Sequence, residues 1–152
     1  MIFYEGILRA FQKQKVKYVI VGGIAVNLLG SMRSTADLDI LVEMSDNNLE
    51  KIVKILKSRG YRVKQPVDPM RIVDRKTRED WIKNKHMKAF NFYKKDELKE
   101  VDIIIESPVS FEEARKSIIR IMNQPITNGI CYCWIINYFM PFTHWVLCGD
   151  YG

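Results

Sequence analysis

Histidine and cysteine are scarce in this chain of 152 residues, with two of the first and three of the second. His86 and His144 stand alone, without an Asp or Ser partner at a recognisable spacing. That speaks against a Ser-His-Asp or Cys-His nucleophile and leaves both as structural or solvent-facing side chains. Cys131, Cys133 and Cys148 all fall near the end. An odd number in an otherwise cysteine-free chain excludes a disulfide framework and fits reduced thiols in a cytoplasm. The Cys-x-Cys pair has no second pair to complete a zinc site, so these residues read as small buried hydrophobes. Glu5 and Arg9 interrupt the first apolar run, so no signal peptide is expected. Internal repeats and low-complexity linkers are missing too.

Charge is absent from one part of the chain. All 24 Lys and Arg and 17 of the 18 acids lie within residues 1–121, a net of +7, and Met122 to Leu147 carries no formal charge. The composition therefore divides the chain into a moderately basic domain, 1–121, and an uncharged apolar tail, 122–152. A basic domain suits a polyanionic partner such as a nucleotide or RNA. In the tail, "ICYCWIINYFMPFTHWVLC" would span roughly 28 Å as a helix, enough for a membrane. Asn137, Pro141, Thr143 and His144 interrupt it, and no basic residues flank it. The expectation is no membrane span. A buried hairpin or an oligomer contact is the leading reading, and a homodimer would cover so large an apolar patch. An ending read out of frame is the alternative.

What is present in 1–121 is an ordered alternation of helix and strand signals. "IFYEGILRAFQ" has apolar residues at helical spacing. "VKYVIV" is a short buried strand ended by Gly22-Gly23, and "IAVNLLG" a short helix closed by Gly30. "ADLDILVE" is a second strand. A helix follows, capped by Ser45 or Asp46 and stopped at Gly60, and "YRVK" is a third strand. After an excursion with one helix around 77–84, "MKAFNFYKK" and "LKEVDIIIE" form strands that pair back on each other. Phe90, Phe92 and Trp81 read as core. "SFEEARKSIIRI" is a helix with Ser110 and Glu113 as a capping box. The expected fold is α/β (α+β), a mixed sheet of four or five strands with helices mainly on one face and the active site at the sheet edge.

The chemistry concentrates in a few positions. Alternate side chains of an extended chain share a face, so Arg33, Thr35, Asp37 and Asp39 point one way while Leu38, Ile40 and Val42 point into the core. Asp102 is another lone carboxylate in an apolar strand. Carboxylates brought together repel, and a fold that accepts this has a cation to place among them. Hard oxygen donors without His or Cys select Mg²⁺, or Mn²⁺, over zinc, and magnesium completes its octahedron with substrate phosphates. A nucleoside triphosphate is the natural substrate. Gly22-Gly23 then reads as bare backbone at a helix start, where a phosphate approaches closely. It is not a P-loop, since no Gly-Lys-Ser/Thr follows, and it lacks the Gly-x-Gly-x-x-Gly spacing of a dinucleotide site.

An apolar strand ending "VGG" (21–23), the acid-x-acid strand "DLDILV" (37–42) and the later strand acid of "VDIII" (101–105) together resemble the nucleotidyltransferase superfamily, the polymerase-beta-like fold. The finer pattern "GGIAVNLLGSMRSTADLD" resembles a small prokaryotic branch related to abortive-infection and toxin–antitoxin nucleotidyltransferases. The resemblance implies that Asp37, Asp39 and Asp102 hold two Mg²⁺ ions and that Asp102 helps deprotonate an acceptor hydroxyl. It implies that Gly22 and Gly23 cradle the triphosphate. Arg33 neutralises phosphate charge, and Ser31 and Thr35 are further nucleotide contacts. The implied activity moves a nucleoside monophosphate from an NTP to a hydroxyl on RNA or a partner protein. The alternative is a non-catalytic nucleotide-binding or toxin–antitoxin partner that keeps the fold. Glu106, on the face of Asp102, is a supporting candidate.

Overall fold

The computed structural model describes residues 4–28 and 34–116. The tail from 122, with its cysteines and its hairpin, dimer, membrane and out-of-frame readings, lies outside the described residues, as do Gly30, Ser31 and Arg33. Five strands form one mixed sheet in the order β1-β2-β5-β4-β3. They are β1 (Tyr18–Val21), β2 (Asp37–Val42), β3 (Arg62–Val63), β4 (Ala89–Lys94) and β5 (Lys99–Ile104). The helices are α1 (Glu5–Lys13), α2 (Gly22–Leu28), α3 (Asp46–Ser58), α4 (Arg75–Lys85) and α5 (Phe111–Lys116).

Side-chain alternation decides what each sheet face does. Tyr18, Ile20, Leu38, Ile40, Val42, Phe90, Phe92, Val101 and Ile103 are buried on one face, against apolar residues of α1, α3 and α4. Ile7, Leu8 and Phe11 of α1, and Leu49, Ile52, Val53, Ile55 and Leu56 of α3, supply most of that cover at helical spacing. Trp81 of α4 stacks on Phe90, ring centroids 5.0 Å apart. The expectation that these aromatics are core holds. On the opposite face, among the described residues, Ala114 of α5 packs with Val19, Val21 and Leu41, and the polar residues of β2, β4 and β5 occupy the rest.

Local signals agree with the observed boundaries where they involve backbone hydrogen bonds. Gly60 takes a φ of +83° after α3, as a helix stop requires. Ser110 and Glu113 close a reciprocal capping box, Ser110 N donating to Glu113 Oε2 at 2.9 Å and Glu113 N to Ser110 Oγ at 3.2 Å. Asp74 caps α4 by accepting from Thr77 N at 2.7 Å. Two corrections concern position. Gly22 and Gly23 do not precede the second helix but form its first turn. The acids do not sit at a sheet edge: they lie on β2 and β5, both interior strands. The reason is connectivity. The helix and hairpin excursion between β2 and β5 lets β5 return parallel to β2, a pairing that needs a long crossover.

One buried polar residue ties the start of β1 to the end of β2. Asn48 of α3 accepts from Lys17 N at 2.8 Å and donates to Lys17 O and Glu43 O at 2.9 Å each. Asn48→Leu would leave those backbone groups without this partner in an apolar setting, so a loss of about 3 kcal/mol is expected. Urea unfolding checks it, and a loss below about 1 kcal/mol would mean that water replaces the amide.

Candidate active site

The site begins with strand register. In the parallel β2–β5 pair Asp39 stands opposite Asp102, and Asp37 opposite Glu100. On the far side of β5, Asn91 of β4 stands opposite Asp102 and Tyr93 opposite Glu100. Val21 closes the first row on β1. All of these side chains share the open sheet face, because the residues between them point into the core. The three acids named from sequence are therefore brought together, Asp37 exposed and Asp39 and Asp102 partly buried.

Burial and like charge act in the same direction here. Asp39 is pushed up to about 6, first by desolvation and then by the charges of Asp102 and Asp37. Asp102 is also raised, chiefly by burial, with hydrogen bonding from Asn91 pulling the other way. Its Oδ1 is buried and has no hydrogen-bond partner among the described residues. A buried carboxylate oxygen without a donor is costly, and a cation or an acceptor hydroxyl would satisfy it. Among the described residues no group of three His, Cys, Asp or Glu closes a metal cage. The donor set fits a hard cation whose remaining positions are filled by water and phosphate oxygens.

The glycines have a local reason. Gly22 has a φ of +70°, and a Cβ there would overlap the Asp39 carboxylate. A Cβ on Gly23 would come within 2.7 Å of the Thr35 side chain. Both are needed so that the acid strand and the residue leading into it can lie against the first turn of α2. Thr35 is thus packed beside Gly23. Ser31 and Arg33 are outside the described residues. Glu106 is exposed beyond the end of β5, and His86 is an exposed residue in the left-handed region at the end of α4.

Three residues of the site were not found from sequence. The Tyr4 hydroxyl donates to Ala36 O and accepts from Glu100 N at 3.0 Å, joining the entries of β2 and β5. Burial pushes it up to about 12. Its partners lie 32 and 96 residues away, and nothing in the local pattern signals them. Asn91 and Gln65 form the other addition, with Gln65 Nε2 donating to Asn91 Oδ1 at 2.7 Å. Asn91 had a signal: it is the polar residue between Phe90 and Phe92 in a hairpin whose register sets it opposite Asp102.

A family model described as aminoglycoside-2''-adenylyltransferase matches residues 5–127, most of the chain. No curated protein matches it.

Two outcomes follow from the geometry. Gly22→Ala is expected to destabilise the fold by about 2 kcal/mol through backbone strain and collision with Asp39. Loss of midpoint in urea measures it, and an unchanged midpoint would contradict the close approach. The second concerns pH. A carboxyl raised on folding favours the folded state while protonated, so that contribution is complete below about 3.8 and is lost as pH rises through about 6. Without metal, Asp39→Asn should therefore be more stable than wild type by about 2 kcal/mol at pH 7.5, after discounting for partial exposure. The advantage should vanish by pH 4. Urea midpoints in chelator across that range decide it, and a pH-independent difference would refute the assignment.

Proposed function

Because the chain belongs to the aminoglycoside-2''-adenylyltransferase family, a family of nucleotidyltransferases, we propose that it transfers a nucleoside monophosphate from an NTP to a hydroxyl in a Mg²⁺-dependent reaction. The observation that carries this is the in-register pair Asp39 and Asp102 on β2 and β5, with Asp37 on the same face and a buried, unpartnered oxygen on Asp102.

Asp37, Asp39 and Asp102 are the residues that would hold magnesium, or manganese in its place. Bound there, the ions would supply positive charge to the attacking and leaving oxygens of an in-line displacement. Asp102 takes the acceptor proton as the hydroxyl oxygen bonds to the α-phosphorus. The bond from that phosphorus to the bridging oxygen breaks, and pyrophosphate leaves with its electron pair. Gly22 and Gly23 keep the first turn of α2 free of side chains, so the Asp39 carboxylate and the triphosphate share one small region. Thr35, Ser31 and Arg33 are proposed nucleotide contacts, with Arg33 offsetting phosphate charge.

The family's name puts the acceptor hydroxyl on an aminoglycoside. The abortive-infection and toxin–antitoxin likeness of "GGIAVNLLGSMRSTADLD" would put it on RNA or a partner protein. The chemistry at phosphorus is the same for all three.

Calorimetric titration of each NTP with Mg²⁺ is expected to show metal-dependent binding, weakened at least tenfold in Asp39→Asn. Transfer of α-labelled phosphate to an aminoglycoside, to RNA or to protein then identifies the acceptor. A folded wild type that binds no NTP overturns the proposal. Binding with no transfer to any of the three supports instead the non-catalytic nucleotide-binding partner.

A further inference from the structure

The most informative feature outside the three acids is the polar chain that reaches Asp102 from the opposite side to Asp39. Gln65 follows β3, Asn91 is on β4, and Asp102 is on β5. Gln65 and Asn91 are both half-buried and are hydrogen-bonded to each other. Asn91 N donates to Gln65 Oε1 at 3.4 Å, and Gln65 Nε2 donates to Asn91 Oδ1 at 2.7 Å.

The direction of these bonds is imposed from the backbone. A main-chain N–H only donates, so it takes the oxygen end of Gln65. The nitrogen end of Gln65 must then meet Asn91, and it takes the oxygen end of that amide. What Asn91 has left to turn toward Asp102 is its NH₂ group. Register sets the two side by side, as a directly opposed antiparallel pair on one face. Asn91 thus presents a donor to the carboxylate, while Asp102 Oδ1 stays buried and open. A carboxylate held by a donor at one oxygen has its rotation restricted and its other oxygen committed to whatever occupies the site.

We propose that Gln65 and Asn91 are positioning residues for Asp102, a two-amide relay that fixes the carboxylate's rotation and reserves Oδ1 for the cation and the acceptor hydroxyl. The assignment rests on the nucleotidyltransferase reading of the acids. Neither amide touches substrate. Gln65 acts only through Asn91, so their effects are not additive.

The test measures Mn²⁺ binding to the full chain by electron paramagnetic resonance, with a non-hydrolysable NTP analogue present and no turnover involved. Asn91→Leu keeps the size and removes the donor. It is expected to weaken Mn²⁺ binding about tenfold, within the range for loss of a partner that orients a metal ligand. Gln65→Leu should weaken it several-fold, and the double variant should be no weaker than Asn91→Leu alone. Gln65→Glu keeps the shape but offers only acceptors, which turns the Asn91 oxygen toward Asp102. It should weaken binding at least as much as Asn91→Leu, whereas a packing role would leave it near wild type. Urea midpoints of all variants separate these losses from unfolding, and Gln65→Leu, outside the strands, keeps the test open if Asn91→Leu does not fold. If wild type binds Mn²⁺ with the analogue and Asp39→Asn does not, the parent reading stands. In that case, unchanged affinity in Asn91→Leu or in folded Gln65→Glu, or additive losses in the double variant, overturns the relay. A wild type that binds no Mn²⁺ overturns the parent reading and the relay with it.

Discussion

Two carboxylates face each other across the parallel β2–β5 pair, and most of the rest of the structure accommodates that repulsion. Neighbouring strands are about 4.8 Å apart, where two like charges cost about 3 kcal/mol at an effective dielectric of about 20. Asp39 rises to about 6 as a result of burial and that neighbour. The opposing contribution comes from the other sheet face, where buried apolar residues from all the longer helices hold β2 and β5 in the middle of the sheet. A strand pair at an edge would have a freer route to separate; this pair has ladders on both sides.

Once the pair is held, the surrounding residues acquire specific tasks. Gly22 and Gly23 lie where a Cβ would strike Asp39 or Thr35, so the turn after β1 closes against the acid strand. Tyr4 joins the entries of β2 and β5 through one hydroxyl. Asn48 joins the start of β1 to the end of β2. Tyr4 and Asn48 act on the strands that carry the acids, whereas Gly22 lies directly against the Asp39 carboxylate. The fold places its polar ties around the charged row and leaves a buried oxygen of Asp102 without a partner among the described residues. On the proposed function, that oxygen is the one that would meet the cation and the acceptor hydroxyl.

Alternation of charge and apolar residues in "DLDILV" and "VDIII" determined, from the sequence alone, that the acids leave the core on one face. Period-two geometry allows no other outcome once Leu38, Ile40, Val101 and Ile103 are buried. The capping box at Ser110, the stop at Gly60 and the core status of Phe90, Phe92 and Trp81 were equally legible, because each depends on residues near in sequence or on burial of apolar mass. The β4–β5 hairpin was legible as well, but tertiary structure alone decided how the remaining strands are ordered. It moved the acids from a sheet edge to the interior, drew Gly22-Gly23 into the first turn of α2 itself, and brought Tyr4 and Gln65 into the site. Those contacts join residues 26 to 96 positions apart, and a local pattern carries no record of register between strands that meet only after the chain has crossed over.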